Sequence, residues 1–390
     1  MSGAVPQWLL DRLACAGGWV RFRTYMDWVL HDPEHGYYGR GQARIGPGGD
    51  FATSPSLGPE FAELLLPQVI EWLGQIPSEH LHLVEAGPGQ GQLIQQLMQG
   101  LARDRPDLAA RTEIVLVEPN PGMVALQRRQ LAGSPLAVRW SSWEELRQAP
   151  LQGVVLAHEV LDALAVDRVV WDGHLWRWQL VALEDQRLAL VAGEGLPPEE
   201  QQRMDQLVPC SSPLESGWCT EVHAGMAPWF TACASALQEG VLLVIDYAME
   251  ARRYYAPSRR DGTLMAYRQQ QASTDPLQAP GEWDLTSHVC VETAQEAAAA
   301  AGWCFLGQRR QGEALLALGL AERLANLGQS PQAELAEVLA QREQLLRLVD
   351  PRATGEFRWL VFARSGRPSG ASAIQSRCLC DPPPMADPPP

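Results

Sequence analysis

The chain of 390 residues is short of positive charge: 31 basic side chains stand against 46 acidic ones, a formal net charge of -15. Such a surface repels phosphate backbones, so a nucleic-acid partner is not expected and a cationic protein or peptide is easier to accommodate. No apolar run approaches the roughly 20 residues that a membrane-spanning helix needs, and membrane insertion is not expected either. Asp11 and Arg12 interrupt the apolar stretch at the N-terminus. Neither a secretory signal nor an Arg-rich transit peptide is visible there, which makes the cytoplasm the default expectation. The eight cysteines form no CxxC pair. The nearest two, Cys378 and Cys380, lie in a proline-rich tail, so reduced thiols and no metal site are expected. His31 and His35 are one turn apart in sequence, but Pro33 prevents the helix that would put both on one face.

What is present is a hydrophobic fraction of 46% with 14 tryptophans, enough for a real core in one large α/β domain with insertions, or in two domains. A helix is predicted from Thr24 to before Pro33, and one through Phe61, Leu65, Trp72 and Leu73. Strands are predicted at 81–84, 113–117, 153–157 and 241–245, with helices at 92–101, 121–131 and 292–301 between or after them. This alternation predicts a doubly wound parallel sheet covered on both faces, closed by a late antiparallel strand at 357–362. Residues 1–59 read as an N-terminal cap ending in a Gly-rich loop, and 60–365 as the main domain. Insertions are expected at about 166–218 and 249–290, the first as hairpins turning at Asp172-Gly173 and Glu184-Asp185. Residues 366–390 read as a disordered proline-rich tail.

The strand at 81–84 runs into Glu85-Ala86-Gly87-Pro88-Gly89-Gln90-Gly91. Glycines at every second position let backbone N–H groups approach a carboxylate or a phosphate. A dinucleotide loop needs a further glycine at 92, which is Gln92, and the Walker pattern has no Gly-Lys-Ser/Thr here. Glu118 closes the next strand, where a carboxylate can accept both ribose hydroxyls of a nucleoside. With an adenosyl ligand bearing a methionine tail, Glu85 meets an ammonium instead of repelling phosphates. S-adenosylmethionine is the cofactor this combination predicts.

His158-Glu159-Val160-Leu161-Asp162 follows the strand at 153–157, at the sheet end where ligands collect. If 159–162 is a helical turn, Glu159 and Asp162 face one side and can grip a guanidinium. Alternatively Glu159 caps a helix and Asp162 is solvated. Asp50, in the Gly-rich loop, either reaches the same pocket or forms a turn. Asp246-Tyr247 is a further pair at a strand end, facing the site or beginning a turn.

Gly36-Tyr37-Tyr38, Gly49-Asp50-Phe51-Ala52-Thr53-Ser54-Pro55, the glycine loop, Val117-Glu118-Pro119-Asn120-Pro121 with Gln127, Glu159-Val160-Leu161-Asp162-Ala163-Leu164, Ile245-Asp246-Tyr247, Gly262-Thr263-Leu264 and Pro280-Gly281-Glu282-Trp283-Asp284-Leu285-Thr286 occur in that order. Together they resemble the MidA-type methyltransferases, whose mitochondrial member is an assembly factor of respiratory complex I. The resemblance implies a class I methyltransferase fold, Rossmann-like with a mostly parallel seven-stranded sheet. It implies S-adenosylmethionine as donor and arginine methylation of a core complex I subunit. By that likeness Gly87, Gly89, Gly91 and Glu118 touch cofactor, while Glu159 and Asp162 line the acceptor site. Glu85 and His158, at the ends of their strands, are further candidates for cofactor binding. His158 stands where the family has Asn, Ala165 where Pro is usual, Ser56 where Glu often follows, and Ala248 where Gly is usual. A small-molecule methyltransferase of the same fold and a non-catalytic, cofactor-binding assembly factor are the alternatives; a dinucleotide oxidoreductase is disfavoured by Gln92.

Overall fold

The computed structural model describes residues 4–46, 48–208, 214–327, 335–365 and 374–382. Its centre is a seven-stranded sheet. The strands in chain order are β1 (Leu81–Ala86), β2 (Thr112–Val117), β3 (Val138–Trp140), β4 (Leu151–His158), β5 (Leu237–Asp246), β6 (Cys304–Arg310) and β7 (Arg358–Arg364). Their spatial order is β3-β2-β1-β4-β5-β7-β6. The pairs from β3 to β5 are parallel, and β7 runs antiparallel to β5 and β6. The order of winding reverses between β1 and β4, the place where such sheets open a crevice.

Alternate residues of the buried strands serve opposite faces. Leu83, Leu116, Val154 and Leu243 pack with Phe61, Leu65 and Trp72 of the helix Glu60–Gln75 and with Leu97 of the helix Gln92–Asp104. Their neighbours Val84, Val115, Val155 and Val244 pack with Phe230 of the helix Met226–Ala236 and Ala294 of the helix Val291–Ala300. The helices and strands expected around this sheet are all present.

The inserted hairpins form a second, antiparallel sheet from Asp167–Trp171, Trp176–Glu184, Arg187–Gly195 and Cys219–Val222. Asp185 and Gln186 both have positive φ, the tight hairpin geometry whose twist matches its strands. Trp19–Arg21 pairs onto Trp176–Glu184, so the N-terminal segment and the insertion share one sheet. They also share a core that includes Leu9, Phe22, Tyr25, Val166, Val181 and Leu285. A third, small sheet joins Met265–Arg268 to Gln271–Ser273 and Asp284–Thr286.

The expected disorder beyond residue 365 needs correction. Residues 366–373 and 383–390 lie outside the described residues, but 374–382 dock on the domain. Cys378 is fully buried and its N–H donates to Gln68 Oε1 at 2.9 Å. The indole of Trp72 donates to Ser376 Oγ at 3.0 Å. Composition suggested a solvated tail, and a single buried turn outweighs it. Truncation after Ser365 is expected to lower stability by about 3 kcal/mol through lost burial and the Trp72 hydrogen bond. Urea denaturation checks this, and an unchanged midpoint would mean that the segment does not dock.

Candidate active site

A cavity of about 720 Å³ opens at the carboxyl ends of β1, β2, β4 and β5. β1 ends at Ala86, and the chain then turns through Gly87, Gly89 and Gly91 at φ 59°, 53° and 86°. A side chain disfavours that conformation, and at Gly87 and Gly89 space is tight as well. A Cβ on Gly89 would meet Ile45 Cδ1 at 2.8 Å, and one on Gly87 would meet Val160 Cγ2 at 3.0 Å. Gly91 starts the helix Gln92–Asp104. The Gly87 N–H donates to Val117 O at 2.9 Å, fastening the loop to β2.

Two carboxyls flank this loop. Glu85 is buried, its Oε2 has no hydrogen-bond partner, and burial pushes its pKa up to about 8. Glu118 follows β2 directly. Its Oε1 accepts the Asn120 N–H and the Asn120 side-chain amide, each at 2.9 Å, and its Oε2 accepts from Gln127 Nε2 at 3.1 Å. Gln127 Nε2 also donates to Gly89 O at 2.8 Å, so one buried amide sets the glycine loop and Glu118 in register. Oε2 keeps acceptor capacity toward the cavity. A loop with glycine at every second position, a buried carboxyl with one oxygen unpartnered and an open acceptor fit a nucleoside ligand with a cationic amino-acid tail.

On the opposite side, 159–162 is not a helical turn. Glu159 sits in the left-handed region at φ 54°, uncommon for any residue but glycine. Asp246, at the end of β5, holds it there. Its Oδ2 accepts the N–H groups of Val160, Leu161 and Asp162 at 3.2, 2.9 and 3.3 Å, while its Oδ1 accepts the Tyr247 N–H at 2.8 Å. The Glu159 N–H donates to Ile245 O at 2.8 Å. Of the two readings open for Asp246, turn formation is the one observed.

Glu159 and Asp162 are nevertheless both at the cavity. Burial first, and then Asp162, Asp246 and Asp284, raise the Glu159 carboxyl well above its ordinary range. Asp162 is pushed up to about 6 by burial, against a hydrogen bond that its Oδ2 accepts from Thr286 Oγ1 at 2.8 Å. His158 lines the cavity beside Phe61, and burial depresses its pKa to about 3. Its 3.5 Å contact with Glu159 is therefore between groups that burial drives toward neutrality. His31, also on the wall, is lowered by burial too. Among the described residues no arginine lines the cavity, and the chain contains no lysine.

Asp50 does not line the cavity. Its Oδ2 accepts from the Tyr37 hydroxyl at 2.9 Å and the Arg44 N–H at 3.3 Å, and its Oδ1 accepts the Gln269 N–H at 3.0 Å. The expected catalytic placement is thus replaced by a pinning one, and its neighbours Phe51, Ala52 and Thr53 form the wall. Tyr247 lines the cavity, as the strand-end reading of Asp246-Tyr247 allowed, whereas residue periodicity gave no sign of Tyr38, Tyr267, Asp284 and Thr286 as cavity residues. The ordered family motifs contain Tyr38, Asp284 and Thr286, and Tyr267 lies in none.

Residues 64–309 match the family described as "putative S-adenosyl-L-methionine-dependent methyltransferase". The chain belongs to that family. A Burkholderia thailandensis protein crystallised with S-adenosyl-homocysteine superposes with a TM-score of 0.83 at 29% identity, over 95% of this chain and 93% of that one. The chain is also similar to protein arginine methyltransferase NDUFAF7, mitochondrial, of Danio rerio, 26% identical over 91% of this chain and 86% of that protein. The Drosophila melanogaster homolog is 28% identical over 92% and 85%. This methyltransferase uses S-adenosylmethionine as its cofactor. The relatives are named mitochondrial, which overturns the cytoplasmic expectation.

Glu85 and Asp284 each have a folded-state pKa of about 8, above the ordinary 4.5 and 3.8. Between those limits the folded chain keeps protons that the unfolded chain has released, so stability falls as pH rises through that window. The melting temperature of the ligand-free methyltransferase, followed by circular dichroism, is expected to fall from about pH 5 to about pH 8. Glu85→Gln should flatten part of that fall, and identical slopes in the two proteins would contradict a protonated Glu85.

Proposed function

We propose that this methyltransferase modifies an arginine side chain of a protein substrate, a core subunit of a complex I-like respiratory enzyme, and thereby aids that enzyme's assembly. One observation carries the reading. The acceptor side of the cavity gathers Glu159, Asp162 and Asp284 with no permanent cation on its wall among the described residues. A guanidinium supplies the missing charge and donates paired, charge-assisted hydrogen bonds to carboxylates. The names of the zebrafish and fly relatives, protein arginine methyltransferases both, support the same substrate class. The complex I subunit follows from the MidA-type resemblance.

In this reading Gly87, Gly89 and Gly91 seat the methionine end of the donor, Glu85 meets its ammonium, and Glu118 receives the ribose hydroxyls. Bound S-adenosylmethionine supplies a methyl carbon activated by its sulfonium. Glu159 and Asp162 hold the guanidinium so that one nitrogen lies in line with that carbon, since positioning accounts for most of the rate in such a displacement. As the N–C bond forms and the C–S bond breaks, the sulfur keeps the electron pair and a carboxylate takes the proton shed by nitrogen. His158, neutral at working pH, adds no repulsion toward the incoming cation. The three-part division of the chain into cap, methyltransferase domain and tail belongs to the same proposal, with the cap's Gly-rich loop closing one side of the cavity.

Transfer of labelled methyl groups from S-adenosylmethionine to arginine peptides, with lysine-substituted peptides as controls, tests the proposal. Activity is expected on the arginine peptides alone. Glu159→Gln with Asp162→Asn should reduce kcat/KM by about 100-fold or more, with affinity for S-adenosylhomocysteine within about twofold of wild type. Normal transfer by that double variant would overturn the acceptor assignment.

A further inference from the structure

Asp284 begins the strand Asp284–Thr286, which pairs antiparallel with Met265–Arg268 in the small sheet outside the central fold. Successive strand residues point to opposite faces. Leu285 is buried in the core shared by the N-terminal segment and the insertion, while Asp284 and Thr286 both face the cavity. Thr286 is already engaged, its hydroxyl donating to Asp162. Asp284 is 5% exposed, hydrogen-bonded to the Tyr38 side chain, and left with Oδ1 unpartnered. Its pairing partner across the strand, Tyr267, lines the same wall.

A buried carboxyl oxygen without a partner is costly, and native structures rarely keep one that serves packing alone. Burial and the nearby Asp162 push this group up to about 8. Among the described residues no cation on the cavity wall relieves it. A charge arriving with a ligand does.

We infer that Asp284 is a third carboxylate ligand of the substrate cation, brought to the acceptor site by the inserted small sheet and held in place by Tyr38. The inference rests on the arginine reading proposed above and deepens it. The strand of the inserted sheet supplies one carboxylate and, through Thr286, orients another, so acceptor specificity is set partly outside the central sheet. Asp284 acts on binding of the acceptor and not of the donor.

The test uses the full chain and an arginine peptide that the wild type methylates, with peptide binding also measured by calorimetry in the presence of S-adenosylhomocysteine. Asp284→Asn should raise peptide KM and Kd at least tenfold and leave S-adenosylhomocysteine affinity within twofold. Its melting temperature should equal or exceed that of wild type at pH 8, because a neutral isostere replaces an unpaired buried carboxyl. Tyr38→Phe, which keeps Asp284 but removes its donor, should show a smaller rise of the same kind and serves if Asp284→Asn does not fold. Unchanged peptide KM and Kd in both variants would overturn the inference while leaving arginine methylation standing. Loss of S-adenosylhomocysteine affinity in parallel would overturn it as well, by moving Asp284 to the donor side. A wild type that neither binds nor methylates arginine peptides would bring down both readings.

Discussion

The wall of the cavity around Glu159 and Asp162 hangs on the carboxyl of Asp246. It ends β5 and gathers the N–H groups of three successive residues that follow β4. That one contact joins two neighbouring strand ends, forces Glu159 into a left-handed conformation, and turns Glu159 and Asp162 to the same cavity without a helix between them. Buried backbone donors must find acceptors, and here a single side chain meets three such needs. Strain at Glu159 is sustained because the surrounding hydrogen bonds over-determine it. The donor side has a parallel device in Gln127, whose amide ties Gly89 to Glu118.

The second constraint is electrostatic. Glu85, Glu159, Asp162 and Asp284 occupy one cavity, and burial raises all four. Such a cluster is poor design for stability alone and is the usual signature of a site shaped for ligands. S-adenosylmethionine carries a sulfonium and an ammonium, and an arginine acceptor carries a third positive charge. Carboxyls whose ionised form is disfavoured by burial, and is relieved by an arriving cation, match those charges.

Much of the central sheet was legible in the sequence. β1, β2, β4 and β5 are apolar runs bounded by turn residues, and the glycine spacing after β1 singled out the loop. β3 has only three residues, and β6 is an edge strand whose short apolar start gives way to Gln308-Arg309-Arg310, so neither carries an apolar run long enough to stand out. The left-handed Glu159 was invisible because its cause, Asp246, lies far along the chain. Asp50 misled for a related reason: a carboxylate in a Gly-rich loop serves turns as readily as chemistry, and only the donors around it decide. Asp284 was visible as part of a family motif, yet its role depends on which face of a short strand meets the cavity.

The account turns on a single cavity that takes an adenosyl donor at Glu118 and the glycine loop. Calorimetric titration with S-adenosylhomocysteine and with NAD, on wild type and Glu118→Ala, tests it most directly. Binding of the adenosyl ligand but not NAD, weakened at least tenfold in the variant, is the predicted result. Binding of NAD, or equal affinity in both proteins, would contradict it.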